Sequence, residues 1–385
     1  MGQRTIVMNG HGAPRHPAPR YPLPKCRAWI CGFAALALMG GCSPRSTEPV
    51  PPGYPVSYGA IVAAAEKEGG VVVWSSVDHD KAARLLADFR SMYPLVRLTY
   101  KELPAQELDR QFHAAADHHR QSADILWSSA MDLQIKLVND GYSARYTSPE
   151  KPAVPDWANW KDEAWGITAE PIVMIYNRRL LPDAQAPRDH AQLTAMLEAK
   201  PARLDGRIAS YDVTRSAVGY LYFTQDRQAS PAIWQLIRAM GANHLRGFAT
   251  AEEILRDVAA GHALVGYNII GSYALEESLH HPDIGVILPS DYTLIMSRIV
   301  MIPKAAAHPN GARLFLDYLL SPRGQRQIKA MGMAPVRADV APPAGLNTAG
   351  RPTLAIEVGP PLLAGQDRLT HDLLIKRWQR TLAGP

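Results

Sequence analysis

The chain has 385 residues, enough for a large core or two lobes, and a formal net charge of +5. The surplus sits in residues 1–42, where Arg4, Arg15, Arg20, Lys25 and Arg27 meet no Asp or Glu; the remainder balances 36 basic against 36 acidic residues. That balance leaves no footprint for nucleic acid or an anionic membrane surface. With Cys26, Cys31 and Cys42 the only thiols, the rest has no disulfide, no Cys-ligated zinc and no Cys nucleophile.

Residues 1–42 read as a signal peptide: a basic, Pro-rich start, then the apolar run Ala28 to Met39. A spanning helix needs roughly 20 apolar residues, and this run is shorter. The end, Leu38-Met39-Gly40-Gly41-Cys42, is similar to a bacterial lipobox, with Met39 where Leu is usual, so Cys42 is the expected lipidation site. Residues 43–56 are Pro-rich and aperiodic, the composition of a flexible tether.

Beyond the tether, Tyr58 to Lys67 is helical and Gly69-Gly70 ends it. Val71 to Ser76 is the first strand. Leu85, Leu86, Phe89 and Tyr93 recur at helical spacing, and Pro94 stops that helix. A strand over Val96 to Leu103, a helix through Leu108 and Phe112, and a strand over residues 124–129 follow. This alternation predicts a parallel sheet with helices on both faces. Further on, strands are expected at Ile172–Tyr176, Ile208–Asp212, Leu264–Asn268, Gly285–Leu288 and Arg298–Ile302. Helices are expected near Leu193–Leu197, Ile233–Met240 and Ile254–Ala260, from Asn310 to Leu320, after Ser321-Pro322, and over Leu373–Leu382.

Two of the strands end in the same triplet, Trp74-Ser75-Ser76 and Trp127-Ser128-Ser129, each before a helix. Small ligands sit outside the carboxyl ends of such strands, where unpaired backbone N–H groups favour anions. Ser75, Ser76, Ser128 and Ser129 are therefore candidate ligand contacts; each could instead only cap its own helix, and Ser129 with Asp132 reads as a capping-box variant. Arg215, followed by Ser216, lies after another strand and could clamp an oxyanion or form a surface ion pair. Tyr267 and Asn268 end a strand and could meet a ligand or pack at an edge. Glu170 could meet a ligand hydroxyl or amine, or brace a hinge. Trp74 and Trp127 are core candidates.

No Gly-x-Ser-x-Gly, P-loop, Gly-x-Gly-x-x-Gly or His-Glu-x-x-His occurs. His113, His118 and His119 share a polar helix without an identifiable third metal ligand, and His79 between Asp78 and Asp80 has no identifiable nucleophile. No enzyme activity, metal or cofactor is expected, and a secreted hydrolase using His79 or a Ser is the weakest alternative.

Several stretches together resemble the periplasmic solute-binding proteins of bacterial ABC importers. They are Val71–Ser76, Ala123–Arg145, Trp165–Asn177, Gly261–Tyr273 and Pro289–Gln325. The group resembled includes ferric-iron-, sugar-phosphate- and phosphonate-binding members and the periplasmic protein of the phosphoglycerate transport regulatory system. The resemblance implies an α/β, two-lobed type II fold, each lobe a mostly parallel sheet flanked by helices, with the cleft between lobes. Lobe 1 is expected at residues 57–166 and 292–345, lobe 2 at 167–291 and 346–385. It implies a lipid-anchored periplasmic monomer that captures a small solute for an inner-membrane permease and ATPase, or alternatively feeds a sensor kinase.

Iron-binding relatives use consecutive tyrosines late in the second lobe with a His and a carboxylate from the first. Here that stretch reads Gly266-Tyr267-Asn268-Ile269, and the first-lobe loops offer serines. A small organic anion, an organophosphate above all, is the expected ligand, with ferric iron the alternative.

Overall fold

The computed structural model describes residues 50–118, 120–199 and 202–384. The expected signal peptide, Cys42 and residues 43–49 of the tether lie outside the described residues. Thirteen strands are described: β1 (Gly70–Ser75), β2 (Arg97–Glu102), β3 (Ile125–Ser128), β4 (Asn159–Trp160), β5 (Ala164–Gly166), β6 (Glu170–Asn177), β7 (Ile208–Tyr211), β8 (Arg246–Phe248), β9 (Val265–Ile270), β10 (Ile284–Ile287), β11 (Thr293–Met296), β12 (Ile299–Met301) and β13 (Thr353–Ala355).

The first sheet has the order β2-β1-β3-β12-β5-β4. β1 runs parallel to β2 and β3, as the strand–helix alternation requires. All four residues of β3 are buried, the pattern of a strand covered on both faces. β12 enters from the second lobe and lies antiparallel to β3 and β5. Helices fasten this lobe through side chains as well as caps. The Glu68 carboxylate accepts the backbone N–H groups of Asn310 and Gly311, so the N-terminus of the helix Pro309–Leu320 is capped by another helix's side chain. Phe89, Tyr93, Phe315 and Tyr318 form an aromatic core here, with Phe89 and Phe315 edge to face at 5.0 Å.

The second sheet has the order β13-β11-β6-β9-β7-β8, with β10 also paired to β6. It is mixed, not mostly parallel: β6 is antiparallel to β9, β10 and β11. β11 belongs to this sheet, so the return to the first lobe falls at Ser297-Arg298, later than the expected 292. The two crossings, 166–170 and 296–299, lie side by side: Ile167 N–H donates to the Arg298 carbonyl at 3.0 Å, and Arg298 N–H to Thr168 Oγ1 at 2.8 Å. One apolar cluster runs through them, from Leu126 and Ile299 to Ile172, Leu294 and Tyr222.

The C-terminal segment touches both lobes and not only the second. β13 pairs with β11, yet Val358 N–H donates to Trp157 O at 2.7 Å and Gln366 reaches Asp132 in the first lobe. The last helix, Arg368–Ala383, then packs Leu374 and Trp378 against the second lobe. Across the other face of the cleft, Lys81 pairs with Glu276 and Tyr273 Oη donates to Asp78 at 3.3 Å. The lobes are therefore in contact at the cleft mouth, a closed arrangement.

Candidate ligand-binding site

The crossings bring together two charges that stand alone in apolar surroundings. Glu170 opens the run Glu170-Pro171-Ile172-Val173, and Arg298 opens Arg298-Ile299-Val300-Met301. Both side chains are 0% exposed, and Arg298 Nε donates to Glu170 Oε1 at 2.7 Å. Ser272 Oγ donates to the other carboxylate oxygen. Glu170 is thus fully engaged in holding the guanidinium plane. Nη1 and Nη2 of Arg298 are buried without a hydrogen-bond partner among the described residues. Burial alone would lower the Arg298 pKa; the Glu170 carboxylate and Tyr273 more than offset it, so the pKa is raised and the group is a permanent cation.

Four largely buried tyrosines lie within the reach of this charge. Burial raises the pKa of Tyr100, Tyr211, Tyr222 and Tyr273, and the Arg298 charge pulls each back. The Tyr273 ring centroid lies 5.3 Å from the guanidinium carbon. Tyr100 Oη is occupied, donating to Val77 O at 2.6 Å. Tyr211 and Tyr222 Oη are buried and unpaired. Gly219 allows this placement, because a Cβ there would collide with the Tyr211 side chain.

The serines converge from the first lobe. Ser76 and Ser129 Oγ are 3.3 Å apart, and the Ser129 N–H donates to Ser76 Oγ at 3.0 Å. Ser75 and Ser128 each accept a backbone N–H two residues on, from Val77 and Ala130. Ser129 does not cap the helix Met131–Asn139 through its side chain; Ala130 occupies the cap position and Asp132 is buried. The two triplet loops thus form one knit corner of the cleft.

Other candidates lie elsewhere. Arg215 is on the surface, half-exposed and paired with Asp212 at 3.2 Å. Ser216 accepts from Gly219 N–H and caps the helix Ala217–Ala229. At a register shift opposite β6, Asn268 adopts φ 65° and turns inward. Its amide and the Tyr267 hydroxyl both donate to Asp226, at 2.6 and 2.8 Å, and Tyr292 adds a third bond at 3.0 Å. Burial raises the Asp226 pKa, with His190 and these donors opposing. This is an internal network of the second lobe. Tyr267 meets no converging metal ligands, and no group of three or more His, Cys, Asp or Glu could hold a metal among the described residues. Trp127 is fully buried in the first-lobe core.

Arg298, Tyr211 and Tyr222 carry the site's unmet hydrogen-bonding capacity, and the sequence reading assigned none of them to it. The available signal was the lone charge: an arginine beginning an apolar strand, opposite a glutamate beginning another.

The two-lobed α/β chain matches known proteins over most of its length. The profile of the bacterial extracellular solute-binding proteins matches residues 61–352. The chain belongs to that family. In solved structures it is similar to the substrate-binding protein of an ABC transporter from Agrobacterium tumefaciens. That likeness is 36% identity over 81% of this chain and 94% of that one, with a TM-score of 0.75. The fold is shared with AfuA from Actinobacillus pleuropneumoniae, solved with fructose-6-phosphate bound, at 17% identity, 80% and 97% coverage and a TM-score of 0.67. It is shared too with iron-bound HitA from Pseudomonas aeruginosa, at 14% identity, 81% and 99% coverage and a TM-score of 0.64. Among curated proteins none matches. The fold is therefore the type II periplasmic binding fold. Among the described residues no helix is long and apolar enough to cross a membrane.

Proposed function

We propose that this solute-binding protein captures a small organic anion in the cleft between its lobes and delivers it to an inner-membrane ABC importer. Cys42 is the point of lipid attachment in this reading, and the Pro-rich tether lets the lobes reach the permease. The observation that carries the ligand class is Arg298: a buried guanidinium, fixed through Nε by Glu170, with both terminal nitrogens unpaired. Arg298 takes the countercharge role expected of Arg215. A fork in this orientation suits the paired oxygens of a carboxylate or phosphate. The Ser76–Ser129 corner supplies neutral hydroxyls from the facing lobe. An organophosphate remains the favoured anion, and AfuA with its sugar phosphate shows that this fold accommodates one.

The test is a thermal-shift panel of sugar phosphates, glycerophosphates, phosphonates and carboxylates beside ferric citrate. An organic anion should raise the melting temperature saturably in the wild type. Arg298→Lys keeps the charge and removes the fork, and should weaken binding about tenfold or more. A response to ferric citrate alone, unaffected by Arg298→Lys, would reject the reading.

A further inference from the structure

We infer that the ligand is bifunctional: its anionic group sits on the Arg298 fork while a second oxygen function, an acceptor, is held by the hydroxyls of Tyr211 and Tyr222. This rests on the cleft being the anion site and adds what the far end of the ligand must be.

The second lobe satisfies its buried tyrosines as a rule. Tyr267 and Tyr292 donate to Asp226, Tyr176 to Asp183 at 2.8 Å, and Tyr220 to the Gly365 carbonyl at 2.7 Å. Tyr220 and Tyr222 share one helix, yet only Tyr220 has a partner. The two phenols left over are Tyr211, closing β7 at its carboxyl end, and Tyr222, whose ring centroid lies 6.1 Å from that of Tyr211. Tyr211 and Tyr222 pack in the same buried cluster as Ile172 and Ile299, which flank the Glu170–Arg298 pair, and the Arg298 charge reaches both phenols, so the unpaired hydroxyls and the unpaired guanidinium nitrogens share one region of the interior. Buried polar groups without partners are costly, and four in one place mark a position completed by something else. Burial raises both phenol pKa values, which keeps the O–H in place near neutral pH. A neutral phenol donates, so its complement is an acceptor oxygen: a second carboxylate, a carbonyl or a hydroxyl. A purely apolar ligand tail would leave both hydroxyls unpaired.

Calorimetric titration of the mature protein with two matched series tests this: butyrate, 4-hydroxybutyrate and succinate, and propyl phosphate beside glycerol 3-phosphate. In the wild type, a bifunctional member should bind about tenfold or more tightly than its monofunctional analogue, since a site built to hydrogen-bond an oxygen discriminates against its absence. Tyr211→Phe and Tyr222→Phe should each shrink that ratio and leave affinity for butyrate or propyl phosphate unchanged. Their melting temperatures without ligand should match or exceed the wild type, because each removes an unpaired hydroxyl. Arg298→Lys should weaken every member alike. An unchanged ratio in both Phe variants, or a drop in ligand-free melting temperature with equal loss for all members, overturns this inference and leaves anion capture standing. No saturable binding of any member overturns both.

Discussion

Two buried arginine–glutamate pairs are built from the same groups, and they differ in what is left over. Arg337, in the first lobe, spends its whole guanidinium: Nη1 donates to Glu150 and to the Leu320 carbonyl, Nε and Nη2 to Asp339 at 2.8 Å each. Arg298, at the crossing, spends only Nε, on Glu170. Burial does not separate them, since both are largely withdrawn from solvent. Unmet hydrogen bonding does. A buried ion pair with every donor used has nothing left to offer a ligand, and one with a free fork keeps the capacity that the proposed anion site requires.

The sharpest way to break the comparison is to truncate the satisfied member. Arg337→Ala leaves the buried Glu150 carboxylate with the Tyr54 hydroxyl as its remaining hydrogen-bond donor among the described residues. It should lower unfolding stability by about 3–5 kcal/mol, the cost of removing one partner of a buried pair. Urea denaturation reads this directly, and anion affinity per folded molecule should not change. A loss below about 1 kcal/mol would mean that Arg337 is no more structural than a surface ion.

The crossing pair should behave in the opposite way when both charges are removed together. Glu170→Gln with Arg298→Met leaves no isolated buried charge, so stability should stay within about 1–2 kcal/mol of the wild type, as for other buried pairs replaced by neutral groups. Anion binding should disappear in the same calorimetric titrations. Retained binding would show that the fork is not the receptor.

This contrast also explains what was legible beforehand. The α/β layering was legible because the strands are continuous β-branched and apolar runs, Val71–Val73 and Ile125–Trp127 needing no partner to be recognised, whereas the division into two lobes followed from the family resemblance. The cleft loops were legible through their shared Trp-Ser-Ser triplets. The charge of the site was not. Arg215 follows a strand and a turn, where anion-binding arginines are sought, whereas Arg298 looks like the first residue of an ordinary apolar strand. Its meaning depends on Glu170, 128 positions away in sequence. β11 and β13 were missed for a similar reason: each pairs with strands distant in the chain, and the short Thr353–Ala355 is fully exposed in side-chain pattern. The mixed sheet of the second lobe follows from such pairings, which local periodicity does not encode.

A third test concerns the carboxylate where the C-terminal segment meets the first lobe. Asp132 is buried, and that burial pushes its pKa up to about 7; the Leu133 N–H and the Gln366 amide oppose the shift without cancelling it. A raised pKa in the folded state means that the fold prefers the protonated acid. The stability it contributes is complete below pH 4, the ordinary carboxylate range, and is lost as pH rises to about 7. Asp132→Asn cannot ionise. Its melting temperature should run parallel to the wild type near pH 4 and exceed it increasingly up to pH 8. Parallel curves across the whole range would mean that Asp132 ionises freely and that the tail contact is loose in solution.

The smallest effect sharpens the comparison at the cleft mouth, where an ion pair exists only between lobes in contact. Lys81 is nearly buried but Glu276 is half-exposed, so solvent screens the pair. The Lys81 ammonium also lies 4.3 Å from the Tyr273 ring centroid, on the same tyrosine that flanks Arg298. Such a pair is worth about 0.2–1 kcal/mol, and only in the closed form. Lys81→Met should therefore leave unfolding of the ligand-free protein almost unchanged and speed anion release by about fivefold at most. The difference should shrink as salt is raised, because screening removes the pair from the wild type too. Stopped-flow dissociation at low and high ionic strength measures both. If Lys81→Met instead changed the unfolding curve and not the release rate, the contact would belong with Arg337 among the structural pairs, and closure would depend on the ligand bridging Arg298 to the facing lobe.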